Sequence, residues 1–402
     1  MWDIIRTIWP IIIGLAIGLA IVLLAARIKA FQATIAAILI IFVLIISVVI
    51  TIYLPSQESE PIVEETPSPL TTPIPPIVSP PSPTLIWQNI YGGLDDDYFF
   101  SVQQTTDGGY IAAGSSDSYE ELGNIDAYLV KADSEGNEQW SKIFDGSIYD
   151  AAYSVQQTTD GGYIIAGDSY GNSGSIDAYL VKTDSKGNEQ WSQTFGGLGR
   201  DYARSVQQTA DGGYIIAGRS DSYGRSRYPD AYLVKTDANG NEQWSQTFGG
   251  LGSDYALSVQ QTTDGGYIIA GESDSYGNSS STDAYIVKTD PEGNERWSQT
   301  FGGSGDDYFS SVQQTADGGY IIAGSSDSYG KSGNTDVYLI KTDSEGNEQW
   351  SQTFGGSGDD AAHSVQQTAD GGYIIAGESD SYGNSGSTDA YLVKTDSKGN
   401  DK

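Results

Sequence analysis

A chain of 402 residues with 53 acidic and 20 basic side chains carries a formal net charge of −33, which repels nucleic-acid phosphates and anionic lipid headgroups. It has no cysteine, so neither a disulfide framework nor a thiolate metal site can form. His363 is the only histidine, which excludes a multi-histidine metal centre. Composition divides the chain into an apolar zone (1–54), a proline-rich zone (55–84) and a zone rich in Gly, Asp, Ser and Tyr (85–402).

Residues 8–26 and 33–54 are two runs without a charged side chain. About 20 apolar residues cross the hydrocarbon core as a helix, so the two runs read as a transmembrane helical hairpin rather than a cleaved signal. Arg27 and Lys29 lie between them, and acidic residues follow the second run. Basic residues stay cytoplasmic, so this pattern places both termini and the large third zone outside the cytoplasm. Ten of the 13 prolines fall between Pro55 and Pro83. Such a segment favours extended polyproline geometry, about 3.1 Å per residue, and reads as a stalk.

From Trp87 onward the sequence repeats. The tetrapeptide DGGY begins at Asp107, Asp160, Asp211, Asp264, Asp317 and Asp370, at intervals of 51 to 53 residues. A period of this size marks propellers and solenoids. Each unit holds four β-type runs, typified by SVQQT, GYIIAG, DAYLVKTD and EQWSQTF, separated by turn sequences such as TDGG and DSKGN. Four strands per unit make one propeller blade. The fold class expected is therefore all-β: a six-bladed β-propeller over residues 85–402, preceded by the transmembrane hairpin.

The two ends of the array complement one another. Leu85–Gly93 reads as a fourth strand without its first three, and the chain closes on three strands without a fourth. The expectation is a ring closed by the N-terminal strand at Trp87, lying beside Asp389–Asp396 and removing an open sheet edge. Trp87, Trp140, Trp191, Trp244, Trp297 and Trp350 then supply one large aromatic per blade, packed between neighbours. The Gln pairs of the SVQQT strands, such as Gln103–Gln104, are expected to bond between blades, because buried amides need partners.

The run DAYLVKTDSKGNEQW resembles the strand–turn–strand of quinoprotein-type propeller repeats. The whole unit resembles the DGGY-type repeats of bacterial and archaeal cell-surface proteins, and the resemblance covers residues 85–402. It implies SVQQT as the innermost strand and the Trp strand as the outermost. It implies little about activity, since propellers host many functions. Sialidases are also six-bladed, but here Gly187 falls three residues after Asp184 and four before Trp191, which departs from their turn box. Arg200, Arg204, Arg219, Arg225 and Arg227 all fall in one unit instead of being spread among blades.

No catalytic triad can be assembled from these residues, and the recurring aspartates occupy turns. The residue before each SVQQT strand nevertheless differs in every copy: Phe100, Tyr153, Arg204, Leu257, Ser310 and His363. Six equivalent positions with six side chains can build one asymmetric pocket at the channel mouth. Loops 302–308 and 379–389 offer oxygen donors suited to calcium, with Asp306, Asp307, Asp359 and Asp360 as candidates, although neither matches an EF-hand. These features point to a membrane-anchored, extracytoplasmic binding module for a glycan or a surface protein. A quinoprotein-like or glycoside-acting enzyme and a purely structural envelope protein are the alternatives.

Overall fold

A computed structural model describes residues 87–118, 124–144, 149–170, 174–224, 226–276, 281–330, 333–382 and 387–401, all within one compact unit, Pro81–Lys402. The expected spans 8–26 and 33–54 and the stalk 55–84 lie outside the described residues. Among the described residues no helix is long and apolar enough to cross a membrane.

The described residues form 23 strands in six antiparallel sheets. Blade 1 holds β1 (Asp97–Gln104), β2 (Tyr110–Ser116), β3 (Asp126–Ala132) and β4 (Glu138–Phe144). Blade 2 holds β5 (Asp150–Gln157), β6 (Tyr163–Tyr170), β7 (Ile176–Thr183) and β8 (Glu189–Phe195). Blade 3 holds β9 (Asp201–Gln208), β10 (Tyr214–Ser220), β11 (Asp230–Thr236) and β12 (Glu242–Phe248). Blade 4 holds β13 (Asp254–Gln261), β14 (Tyr267–Ser273), β15 (Asp283–Thr289) and β16 (Glu295–Phe301). Blade 5 holds β17 (Asp307–Gln314), β18 (Tyr320–Ser326), β19 (Asp336–Thr342) and β20 (Glu348–Phe354). Blade 6 has three strands, β21 (Asp360–Gln367), β22 (Tyr373–Ser379) and β23 (Asp389–Thr395). The described residues form an all-β, six-bladed β-propeller.

The turns follow from residue chemistry. In the TDGG turns the first glycine adopts positive φ, 83° at Gly108, a region that Cβ-bearing residues avoid. The second glycine leaves room for a lysine. A Cβ on Gly213 would stand 2.1 Å from Thr236 O and 2.6 Å from Lys235 Nζ. That lysine is buried at 3 % exposure and donates to Asp211 of DGGY and to Thr236 O. The Thr105 hydroxyl, the Gly109 amide and Lys131 hold the equivalent Asp107 carboxyl down at about 2.

Neighbouring blades meet through one repeated joint. In the joint of blades 5 and 6, Ile321, Ala323, Val337, Leu339 and Phe354 of blade 5 pack with Ala362, Val365, Tyr373, Ile375 and Val393 of blade 6. Each tryptophan packs on the next blade, as expected: Trp140 meets Tyr163 edge-on at 5.7 Å and covers the turn at Gly187. The glutamine pairs also bond between blades, as expected. Gln157 N donates to Gln103 Oε1 at 2.6 Å, and the same bond recurs at Gln208, Gln261, Gln314 and Gln367.

The expected closure by the Trp87 strand is not made in the structure. Among the described residues, β23 pairs apart from β22 only through a single bridge from Thr395 to Asp401. The Trp87 segment docks instead on blade 1, through side chains. Trp87 Nε1 donates to Ser134 O at 3.1 Å, Tyr91 Oη to Gly136 O at 2.6 Å, and the Trp87 ring meets Tyr110 at 5.6 Å. With all its anchors on blade 1, it leaves the edge of β23 bare. Among the described residues five joints are formed, and the sixth stands open.

Candidate functional site

The six residues that vary ahead of SVQQT share one backbone device. In every blade the pairing of the innermost strand with its neighbour slips by one residue at this position, between Phe99 and Ser101 in blade 1 and at the equivalent place in the others. The varying residue is the extra residue of a β-bulge. A bulge leaves its residue outside the ladder and re-aims its side chain, so this position is released from the constraints that keep its neighbours alike. The glycine of YIIAG makes the bulge possible. A Cβ on Gly218 would stand 1.8 Å from Tyr202 O, and one on Gly167 1.8 Å from Ala151 O.

Three of the six residues are brought together. The Phe100 ring lies 5.0 Å from that of Tyr153, and the Arg204 guanidinium lies 4.0 Å over the same Tyr153 ring. Arg204 Nη1 donates to Asp168 Oδ2 at 2.8 Å, and the Tyr153 and Tyr149 hydroxyls are 3.1 Å apart. Burial raises the Tyr153 phenol above its ordinary range. Leu257 and Ser310 are half-buried. His363 is exposed, with Nε2 3.6 Å from Glu378 Oε2.

A second varying position completes the face, and sequence reasoning missed it. The residue after YIIAG, or after YIAAG in blade 1, is Ser115, Asp168, Arg219, Glu272, Ser325 or Glu378. Its variation was as visible as that of the first position. Arg219 lies 4.2 Å over the ring of Tyr202 and 4.7 Å over that of Tyr255, spanning blades 3 and 4. Asp168 accepts from Ala203 N at 3.1 Å as well as from Arg204, linking blades 2 and 3.

These carboxyls are electrostatically unusual. Burial pushes Asp168 up to about 6, against the opposing pull of Arg204. Burial and the nearby Asp274 push Glu272 up to about 7, with Arg219 opposing. Burial, Asp306 and Glu272 push the Tyr308 phenol up to about 12. Arg204 and Arg219 of blade 3 thus stand between the carboxyls of Asp168 on blade 2 and Glu272 on blade 4, with tyrosine rings against both guanidiniums. Such a surface can stack on a flat or ring-shaped ligand and bond its polar edge.

The calcium candidates occupy structural positions. Asp307 Oδ2 accepts from Gly303 N at 3.1 Å and from Ser328 Oγ at 2.5 Å, and Asp360 Oδ2 accepts from Gly356 N and Ser381 Oγ. Asp306 accepts from Thr282 N and Asp359 from Thr335 N. Among the described residues no group of three or more acidic or histidine side chains is arranged to hold a metal ion.

No protein-family model matches the chain. It is 28% identical over 207 residues to the regulatory protein FlaEY of Caulobacter vibrioides, a match covering 45% of this chain and 21% of that protein. The chain therefore spans about a fifth of the length of this curated relative. Among solved structures it is similar to the Pan2 WD40 domain of Neurospora crassa, with 10% identity, a TM-score of 0.46, and 70% of this chain and 74% of that one covered. It is also similar to the α-L-arabinofuranosidase Arb93A of Fusarium graminearum and the α-L-arabinanase of Penicillium chrysogenum. These are 13% and 14% identical, each with a TM-score of 0.46, covering 73% of this chain and 92% of the other. These likenesses concern fold.

Proposed function

We propose that this chain is a binding module, a propeller held outside the cytoplasm by the apolar hairpin 8–26 and 33–54, which takes a glycan or a surface protein on its non-repeating face. One observation carries the reading. In a molecule whose repeats are otherwise nearly alike, the bulge positions and the positions after YIIAG differ blade by blade, and they bring Tyr153, Arg204, Asp168, Arg219 and Glu272 to adjoining blades. Solvation alone does not call for two guanidiniums sandwiched among tyrosines and two carboxyls held above their ordinary range. The test is glycan- and protein-array binding by the detergent-solubilised full chain, with and without calcium. Arg204→Ser with Arg219→Ser should remove the signal while leaving the melting temperature within a few degrees. Unchanged binding by that double variant would defeat the reading.

One observation favours a second reading, a glycoside-acting enzyme. A carboxyl near 7, as at Glu272, is poised to deliver a proton near neutral pH. Turnover of a glycan panel by the wild type, lost in Glu272→Gln, would establish it.

A further inference from the structure

The open joint exposes two apolar faces that are copies of faces buried elsewhere in the same molecule. On blade 1, Val102 is 68 % exposed, whereas its counterparts Val155, Val206, Val259, Val312 and Val365 are 6–7 % exposed. It borders a groove of about 510 Å³ together with Tyr91, Phe99, Tyr110, Ala112 and Val130. These six residues occupy the repeat positions of Val365, Ala362, Tyr373, Ile375 and Val393 on the receiving face of blade 6 and of Phe354, the outer-strand residue of blade 5 that packs on that face. On blade 6, Leu392 is 67 % exposed where Leu339 is fully buried, and Ala376 and Ala390 are exposed where Ala323 and Val337 are fully buried. One end of the chain therefore carries the socket, and the other carries the face that fills that socket five times within the array.

The hydrogen bonds show the same vacancy. Ser101, Ser154, Ser205, Ser258 and Ser311 each accept from the valine amide of the next blade. Among the described residues, no such bond joins Val102 N to Ser364 or Gln104 N to Gln366. The Trp87–Tyr91 segment already sits on blade 1 as Trp350–Phe354 sits on blade 6. Tyr91 meets Phe99 at 6.0 Å, as Phe301 meets Phe309 at 5.8 Å. Among the described residues the segment has no third strand to pair with, and β23 has no fourth.

We infer that blade 6 of one copy docks on blade 1 of a second copy, with the second copy's Trp87–Tyr91 segment serving as the fourth strand beside β23. Within one chain the ends are separated by five formed joints. Each is filled by interlocking side chains that resist a change of angle, so bringing the two ends together requires repacking along the array. A second copy meets either end as the array stands, through an interface the molecule has already built five times. The contact is head-to-tail, so it propagates from copy to copy until it closes or runs on as an array. By repetition of the pairing of Leu339 with Gln352, Leu392 faces Asn89 across the new strand pair.

The chain has no cysteine of its own, which makes the test clean. Two full-length variants, Asn89→Cys and Leu392→Cys, both at exposed positions, are mixed in detergent under mild oxidation. Directly opposed residues of an antiparallel pair are about 4.5–5.5 Å apart at Cα, within disulfide reach. The expected result is a reducible dimer in the mixture, well above either variant alone, that adding Val102→Asp, at an exposed position of the socket, to the Asn89→Cys variant removes. The double variant carrying both cysteines in one chain separates the outcomes. A bond formed only within single chains, with no dimer in the mixture, would mean that the chain closes on itself and overturns the inference, as would the absence of any bond.

Discussion

At the scale of single residues, position in the ladder decides which side chains are free to differ. The bulged residue pairs with nothing across the strand, so Phe, Tyr, Arg, Leu, Ser and His are all tolerated there. Its partner glycine tolerates nothing else, because a Cβ would run into backbone oxygen. The repeat pattern made the first variable position legible, since Phe100, Tyr153 and Arg204 stand out in otherwise matching lines. The bulge itself was not legible, because it is a property of cross-strand register and not of one strand. Asp168, Arg219 and Glu272 were not legible as site residues because they lie in a strand whose buried run reads as packing. The charge state of Glu272 gives a prediction here. Its carboxyl is raised to about 7 in the folded chain, above its ordinary value of 4.5. Holding it ionised therefore costs folding free energy once the pH passes 7, and that cost is absent below the ordinary value. Glu272→Gln should raise the melting temperature at pH 8.5 and leave it nearly unchanged at pH 4, as read by calorimetry.

At the scale of the element, one strand sequence meets two environments. DVYLIKT in β19 is buried along its length, whereas DAYLVKT in β23 is bare on the face that would meet a seventh neighbour. The sequence predicts both strands equally well, because hydrophobic pattern records what a strand is suited to cover and not whether anything covers it. The same limit explains the expected closure. Complementary ends show that a fourth strand and a three-stranded sheet suit one another, but the angle between blades comes from how side chains interlock at each joint. A paired substitution separates pattern from burial. Leu339→Ala should cost about 2–5 kcal/mol in denaturant unfolding, as full burial dictates. Leu392→Ala should cost well under 1 kcal/mol in dilute solution, because the side chain is 67 % exposed. Equal losses at the two positions would show that the β23 face is covered in the isolated chain.

At the scale of the whole molecule, near-perfect repetition supplies the frame and departures from it supply the chemistry. Inner-strand amides, Trp–Tyr contacts and lysine-braced DGGY turns recur from blade to blade, and the bulge falls at the equivalent register position in each blade. The non-repeating residues then concentrate on blades 2 to 4, where two guanidiniums, two carboxyls and several tyrosine rings interlock. Blade 5 carries serine at both variable positions, Ser310 and Ser325, which shows that the frame accepts serine there. The most direct measurement uses that fact. The strongest array binder is titrated calorimetrically against five variants, one for each blade other than blade 5, in which the variable residues not already serine are changed to serine, with the unaltered chain as reference. The account predicts at least about a tenfold loss of affinity for blade 2 (Tyr153, Asp168) and blade 3 (Arg204, Arg219), and little change for blade 6 (His363, Glu378). Equal affinity across all the variants would contradict it.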